Sequence, residues 1–216
     1  MKQAILKTKI VPLLAVSICY ILYLLGYFQI LIGTFVVLIA SLIEFRKDIF
    51  KSLGFQKKGL NIKNLLLIAP LISGGLFLLY YFVLVPGVTY ITGQAMDFSA
   101  FDSFNGNLPA TLGLLVFIWV SAGFGEEILF RGYLMKQFIK FFGKSKVSLL
   151  INILLLGIIF GWLHSYQGIT GQIITGIIGI LLAIIFYIRK YDLWFNVAVH
   201  GFFDTIALVF IYYGWY

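Results

Sequence analysis

Residues 10–43 read IVPLLAVSICYILYLLGYFQILIGTFVVLIASLI, 34 positions without one charged side chain. Wound as a single α-helix at 1.5 Å per residue, that run would reach about 51 Å, against a bilayer hydrocarbon core of ~30 Å. It must therefore fold back as two membrane helices, and Gly26-Tyr27-Phe28-Gln29 is the natural break. Lys2, Lys7 and Lys9 ahead of the run also suit a signal peptide. The apolar stretch is too long for an ordinary h-region, however, and no small-residue cleavage site closes it. It is read as an uncleaved first span.

The rest of the chain agrees. Of its 216 residues 62% are hydrophobic and 11% charged, with mean hydropathy +1.03, whereas soluble domains carry roughly 45–50% and ~25%. Such a chain cannot clothe a water-facing surface. Further runs cover 64–91, 109–125, 147–164 and 168–188 without a charge, and 193–213 with Asp204 alone. The sequence thus predicts an all-α polytopic transmembrane helical bundle of about seven spans. It forms one integral membrane domain over 1–216, with three N-terminal spans and loops in 1–108 and a core in 109–216.

The 16 basic residues sit before the first span, in 46–63, in 131–146 and at Arg189-Lys190. Those segments alternate with the spans and so share one side, while the other side offers Asp97 and Asp102 and no cation. The positive-inside rule then predicts a cytoplasmic N-terminus and an outside C-terminus, with composition pointing to a bacterial plasma membrane. Net charge +8 is topology rather than a nucleic-acid surface, and the basic face can meet anionic lipid. A lone cysteine, Cys19, excludes an intramolecular disulfide framework, and two histidines exclude a three-histidine zinc site. The absence of an internal repeat argues against an inverted-repeat transporter. Gly171, Thr175, Gly179 and Ala183 form a small-residue stripe that predicts close helix packing.

A charge at mid-membrane costs ~2.5–3.5 kcal/mol on insertion scales, so each such residue requires a reason. The candidates are Glu126, Glu127, Arg131, His164, His200 and Asp204, on the fourth, fifth and seventh spans, and they include both histidines of the chain. Glu127 and Arg131 are one helical turn apart and can neutralise each other. Glu126 points about 100° away from that pair, so it is free to act as a general base. Gly123 and Gly125 thin the helix just before it. Asn196, His200 and Asp204 share one face, where a carboxylate can fix the imidazole tautomer. Two histidines and a glutamate also make a zinc-protease ligand set (Glu126, His164, His200), although the H-E-x-x-H helix is missing. Without G-x-S-x-G, or a histidine near Cys19 in sequence, serine and cysteine nucleophiles lack support. Water activated by a carboxylate and attacking an amide is the best chemical reading.

Three motifs then fall in register: Glu126-Glu127-Ile-Leu-Phe-Arg131, Phe160-Gly-Trp-Leu-His164 and His200-Gly-Phe-Phe-Asp204. They resemble the E-E-x-x-x-R, F-x-x-x-H and H-x-x-x-N/D signatures of the CAAX protease and bacteriocin-processing (CPBP) family of intramembrane endopeptidases. The resemblance covers 126–204. It implies a peptidase in which Glu126 activates water with help from His164, while His200 and Asp204 polarise the scissile carbonyl. Asp204 stands where many members have Asn, and as a carboxylate it would rather orient His200. Zn2+ is a possible cofactor, but with Glu126 as ligand and Glu127 tied to Arg131 no glutamate remains as base. That slightly favours a metal-free mechanism.

The implied partner is a membrane-inserted or lipidated peptide, cut near the cytoplasmic side. A non-enzymatic reading, as an immunity or sensor-regulating partner, is the alternative. Helix counting sets Glu126 and His164 level if the fourth span continues to about Phe142 and turns at 143–146. It leaves His200 nearer the cytoplasmic end than His164.

Overall fold

The computed structural model describes residues 2–216, with side chains from Lys9 onward. Its elements are α1 (Lys2–Leu24), α2 (Ile30–Phe45), the short α3 (Ile49–Leu53), α4 (Asn64–Thr92), α5 (Leu108–Phe142), α6 (Lys146–Trp162), α7 (Gly168–Ile188) and α8 (Leu193–Tyr213). The described residues form no strand. Setting α3 aside, seven helical rods stand where the uncharged runs predict them. Four are long and apolar enough to cross a membrane: α4, α5, Ser165–Ile188 and α8; α1 from Lys9 and α6 are apolar but shorter. The break between α1 and α2 falls at Gly26, whose φ of +76° favours a residue without a Cβ.

The rods turn apolar side chains outward. Leu13, Leu71, Phe82, Val116 and Ile158 are all more than half exposed, while Glu127, Asn196 and His200 lie inside. That inversion suits hydrocarbon as solvent. α8 runs between two apolar cores, one shared with α2, α5 and α6, the other with α4 and α7.

At the basic end the rods are tied by polar contacts. Glu44 near the end of α2 accepts from Tyr133 (2.8 Å), Gln137 (3.1 Å) and Lys140 (2.9 Å) on α5. Lys136 donates to the Ser52 carbonyl (2.7 Å), and the Leu193 amide to the Gly54 carbonyl (3.1 Å). The opposite end is closed by its loops, with Asp97 N to Gln167 O (3.1 Å), Thr170 Oγ1 to Gln94 O (2.7 Å) and Gly106 N to Tyr212 O (2.9 Å).

The small-residue packing of α7 on α6 is real, yet its tightest approach lies one position off the predicted stripe. It runs through Gly176, against Gly157 and Gly161, and a Cβ on Gly161 would meet the Gln172 carbonyl and the Gly176 Cα. Gly179 of the stripe packs on Phe160 instead, and the Thr175 hydroxyl bonds back to the Gly171 carbonyl (2.7 Å).

α5 continues to Phe142 and turns at Gly143, as the sequence predicts. From Trp119 to Met135 it is wound wide, with i→i+5 hydrogen bonding, a form usually met as single turns at functional sites. Thr34 on α2 reaches into this stretch and donates to the Gly125 carbonyl (2.9 Å). Gly132 packs against Leu193 at the start of α8. α5 then extends about 15 Å further toward the basic end before it turns into α6. α6 therefore starts lower than α8, and this offset removes the mismatch in depth between His164 and His200.

Candidate active site

Glu127 is fully buried and holds the site together. Its Oε1 accepts from Arg131 Nη1 (2.8 Å) and His200 Nδ1 (2.9 Å), and its Oε2 from Asn196 Nδ2 (2.7 Å). Arg131 Nη2 donates on to the Gly179 carbonyl (2.8 Å), and its guanidinium lies 5.0 Å from the Phe160 ring centroid. Asn196 also reaches the Leu182 carbonyl (3.2 Å). One carboxylate thereby joins α5, α7 and α8. The sequence finds the Glu127–Arg131 pair by its spacing. It misses that Glu127, and not Asp204, holds Nδ1 of His200.

Glu126 is turned away from this network. It has no hydrogen-bond partner among the described residues, and His200 Nε2 stands 3.9 Å from its Oε2. The same Nε2 is 3.5 Å from Asp204 Oδ2, so a proton there would face two carboxylates. His164 lies two residues beyond the end of α6, in the turn before α7, rather than on the fifth span itself. Its Nδ1 is 2.8 Å from the Phe160 carbonyl. A carbonyl can only accept, so Nδ1 carries a proton, and in the neutral ring the lone pair lies on Nε2.

Glu126, His164, His200 and Asp204 line one cavity of about 670 Å³ whose walls are otherwise largely apolar, including Phe117, Leu163 and Phe203. Gly201, between the two polar residues of α8, leaves room for the Trp119 ring, which lies where a Cβ would stand. Trp119 Nε1 then donates to Thr205 (3.2 Å) and fixes α5 against α8. Tyr166 and Gln167 also line the cavity; nothing in their spacing distinguishes them in the sequence.

The cavity lining also includes Phe28 and Gln29, Phe98 and Phe101, and Tyr166. All of these belong to loops at the end opposite the basic segments. Leu31 of α2 and Phe117 of α5, both exposed, line it too.

Both histidines present Nε2 while Nδ1 is held by a carboxylate or a carbonyl, the arrangement typical of metal-ligating histidines. In kind, Glu126, His164 and His200 suit a divalent ion. No set of three such side chains closes around one point among the described residues.

Residues 107–206 match the protein family described as type II CAAX prenyl endopeptidase Rce1-like. The matched segment is 100 of the 216 residues. It contains all three motifs and nearly the whole cavity wall contributed by α5 to α8. No curated protein and no solved structure matches the chain. The match indicates a peptidase of the CAAX type, and the long apolar rods indicate one set within a membrane.

Proposed function

We propose that this CAAX-type protease hydrolyses a peptide bond in a membrane-inserted or lipidated peptide, using water activated by Glu126. The observation that carries the reading is the division between neighbouring carboxylates. Glu127 is engaged by three donors, whereas Glu126 faces the cavity with none. A free carboxylate beside a cavity can take a proton from water and later pass it to the leaving amine.

In this scheme a water molecule lies between Glu126 and the scissile carbonyl. His164 Nε2 accepts the water's second hydrogen and orients its lone pair. As oxygen bonds to carbon, Glu126 takes the first proton. His200, protonated on both nitrogens and anchored through Nδ1 by Glu127, donates from Nε2 to the developing oxyanion. Asp204 is an acceptor and so positions that Nε2–H rather than binding the oxyanion. When the C–N bond breaks, Glu126 returns its proton to the amine. A zinc ion, if held, would take Glu126, His164 and His200 as ligands and supply Lewis-acid polarisation of the carbonyl.

The charge distribution supports a cytoplasmic basic end, hence a cytoplasmic N-terminus, an outside C-terminus and a cavity opening outside in a bacterial plasma membrane. The test compares wild type with Glu126→Gln, at equal levels in the native host lacking its own copy, by mass spectrometry of new peptide termini in membrane and medium. Termini should appear with wild type and fall at least 100-fold in the variant. Identical termini from both would overturn the reading in favour of a binding partner. In vitro, activity should survive a zinc chelator; loss that Zn2+ restores would move Glu126 from base to ligand.

A further inference from the structure

A second cavity, of about 650 Å³, lies beside the active-site cavity, between α4, α8 and the segment 94–104. That is room for a small ligand or a lipid headgroup. Seven of its sixteen lining residues are aromatic. The rings stand steeply to one another, Tyr81 to Phe210 at 64° and Phe210 to Trp215 at 82°. The wall therefore offers ring faces in more than one direction, and a ring face is the negative part of its quadrupole.

Asp102 is the one charged side chain in this wall; among the described residues no Lys, Arg or His lines it. Both histidines belong to the wall of the active-site cavity, which shares the side chains of Tyr80, Met96 and Phe98 with this one. Tyr216 donates its hydroxyl to Asp102 Oδ1 (3.3 Å), and its ring lies 4.8 Å from that of Phe98. The carboxylate is thus held against the aromatic wall.

We infer that this second cavity binds a quaternary ammonium group, with ring faces around the charge and Asp102 as its counter-ion. An anion would meet the carboxylate with no cation in the wall to offset it. A primary ammonium brings three N–H donors, which ring faces satisfy poorly. A quaternary ammonium brings none, and its methyl groups suit the apolar wall. It arrives either as the headgroup of a choline lipid or as a free quaternary amine. The site lies outside the peptidase machinery and does not depend on it.

Choline and 3,3-dimethylbutan-1-ol, of the same shape but without the charge, are the probes that test this. Each is titrated into the full-length protein in neutral maltoside micelles, and tryptophan fluorescence is followed. Choline should give a saturable change and bind about fivefold or more tighter than the alcohol. Asp102→Asn should weaken choline about threefold or more and leave the alcohol unchanged, while Trp215→Leu should remove the signal. Tyr216→Phe, which keeps the ring, should retain most of the affinity. Equal affinity for the two probes, choline binding indifferent to Asp102→Asn, a signal that survives Trp215→Leu, or no binding would each overturn the inference. Vesicles then separate the two sources. Brominated phosphatidylcholine quenching Trp215 more than brominated phosphatidylglycerol, with choline relieving the difference, upholds the site as one for a lipid headgroup. Equal quenching by the two lipids, with choline still bound, upholds it as one for a free quaternary amine.

Discussion

Glu127 and Glu126 are neighbours with opposite tasks, and substitution should separate them. Glu127→Gln leaves Arg131 and His200 in an apolar interior without their shared anion. Breaking a buried pair on one side costs about 3–5 kcal/mol. Thermal unfolding in detergent should show a clear fall in Tm for Glu127→Gln and almost none for Glu126→Gln, although both lose activity. If Glu126→Gln proved the less stable, the division of labour between the two would be wrong. The i,i+4 spacing makes Glu127–Arg131 and His200–Asp204 legible in the chain, and both contacts exist. The bond from Glu127 to His200 spans 73 residues. No periodicity reports such a contact, and so the orientation of His200 is assigned to its visible neighbour, Asp204, instead of to Glu127.

Among the elements, the α6–α7 pair depends on bare backbone. Gly161→Ala would push a methyl into the Gln172 carbonyl, which cannot yield as a flexible side chain could. The expected cost is about 1–3 kcal/mol, read as a lower Tm, with activity reduced because His164 follows directly on α6. Gly113→Ala, with open space at its Cβ position, is the control and should be neutral. A stripe of small residues announces such packing from sequence, but not the partner's rotation, which moves the contact to Gly176. Likewise, Glu44 reads as the charge that closes an apolar run; that it receives three side chains of α5 depends on how α2 and α5 meet. The wide winding of α5 has no signature in the residues beyond the glycines beside Glu126.

For the whole molecule, uncharged runs and alternating basic segments were enough to place seven rods and a basic end, because hydrocarbon leaves a chain few alternatives. They said nothing of where the bundle is hollow. That depends on loops such as 94–104, whose aromatic residues have no period to read, and on the offset between the starts of α6 and α8. One dimension of this bundle has a consequence for its solvent. α6 has 17 residues, about 25 Å of helix, beside a hydrocarbon layer of ~30 Å. A membrane that puckers inward along that flank, at a modest cost per ångström of mismatch, would bring headgroups and their hydration down toward the depth of His164. Reactant water would then be delivered by a dimple in the leaflet. In vesicles of increasing acyl-chain length, hydrolysis should decline while the folded fraction stays constant; a flat profile would mean that water arrives through the loop-lined mouth alone.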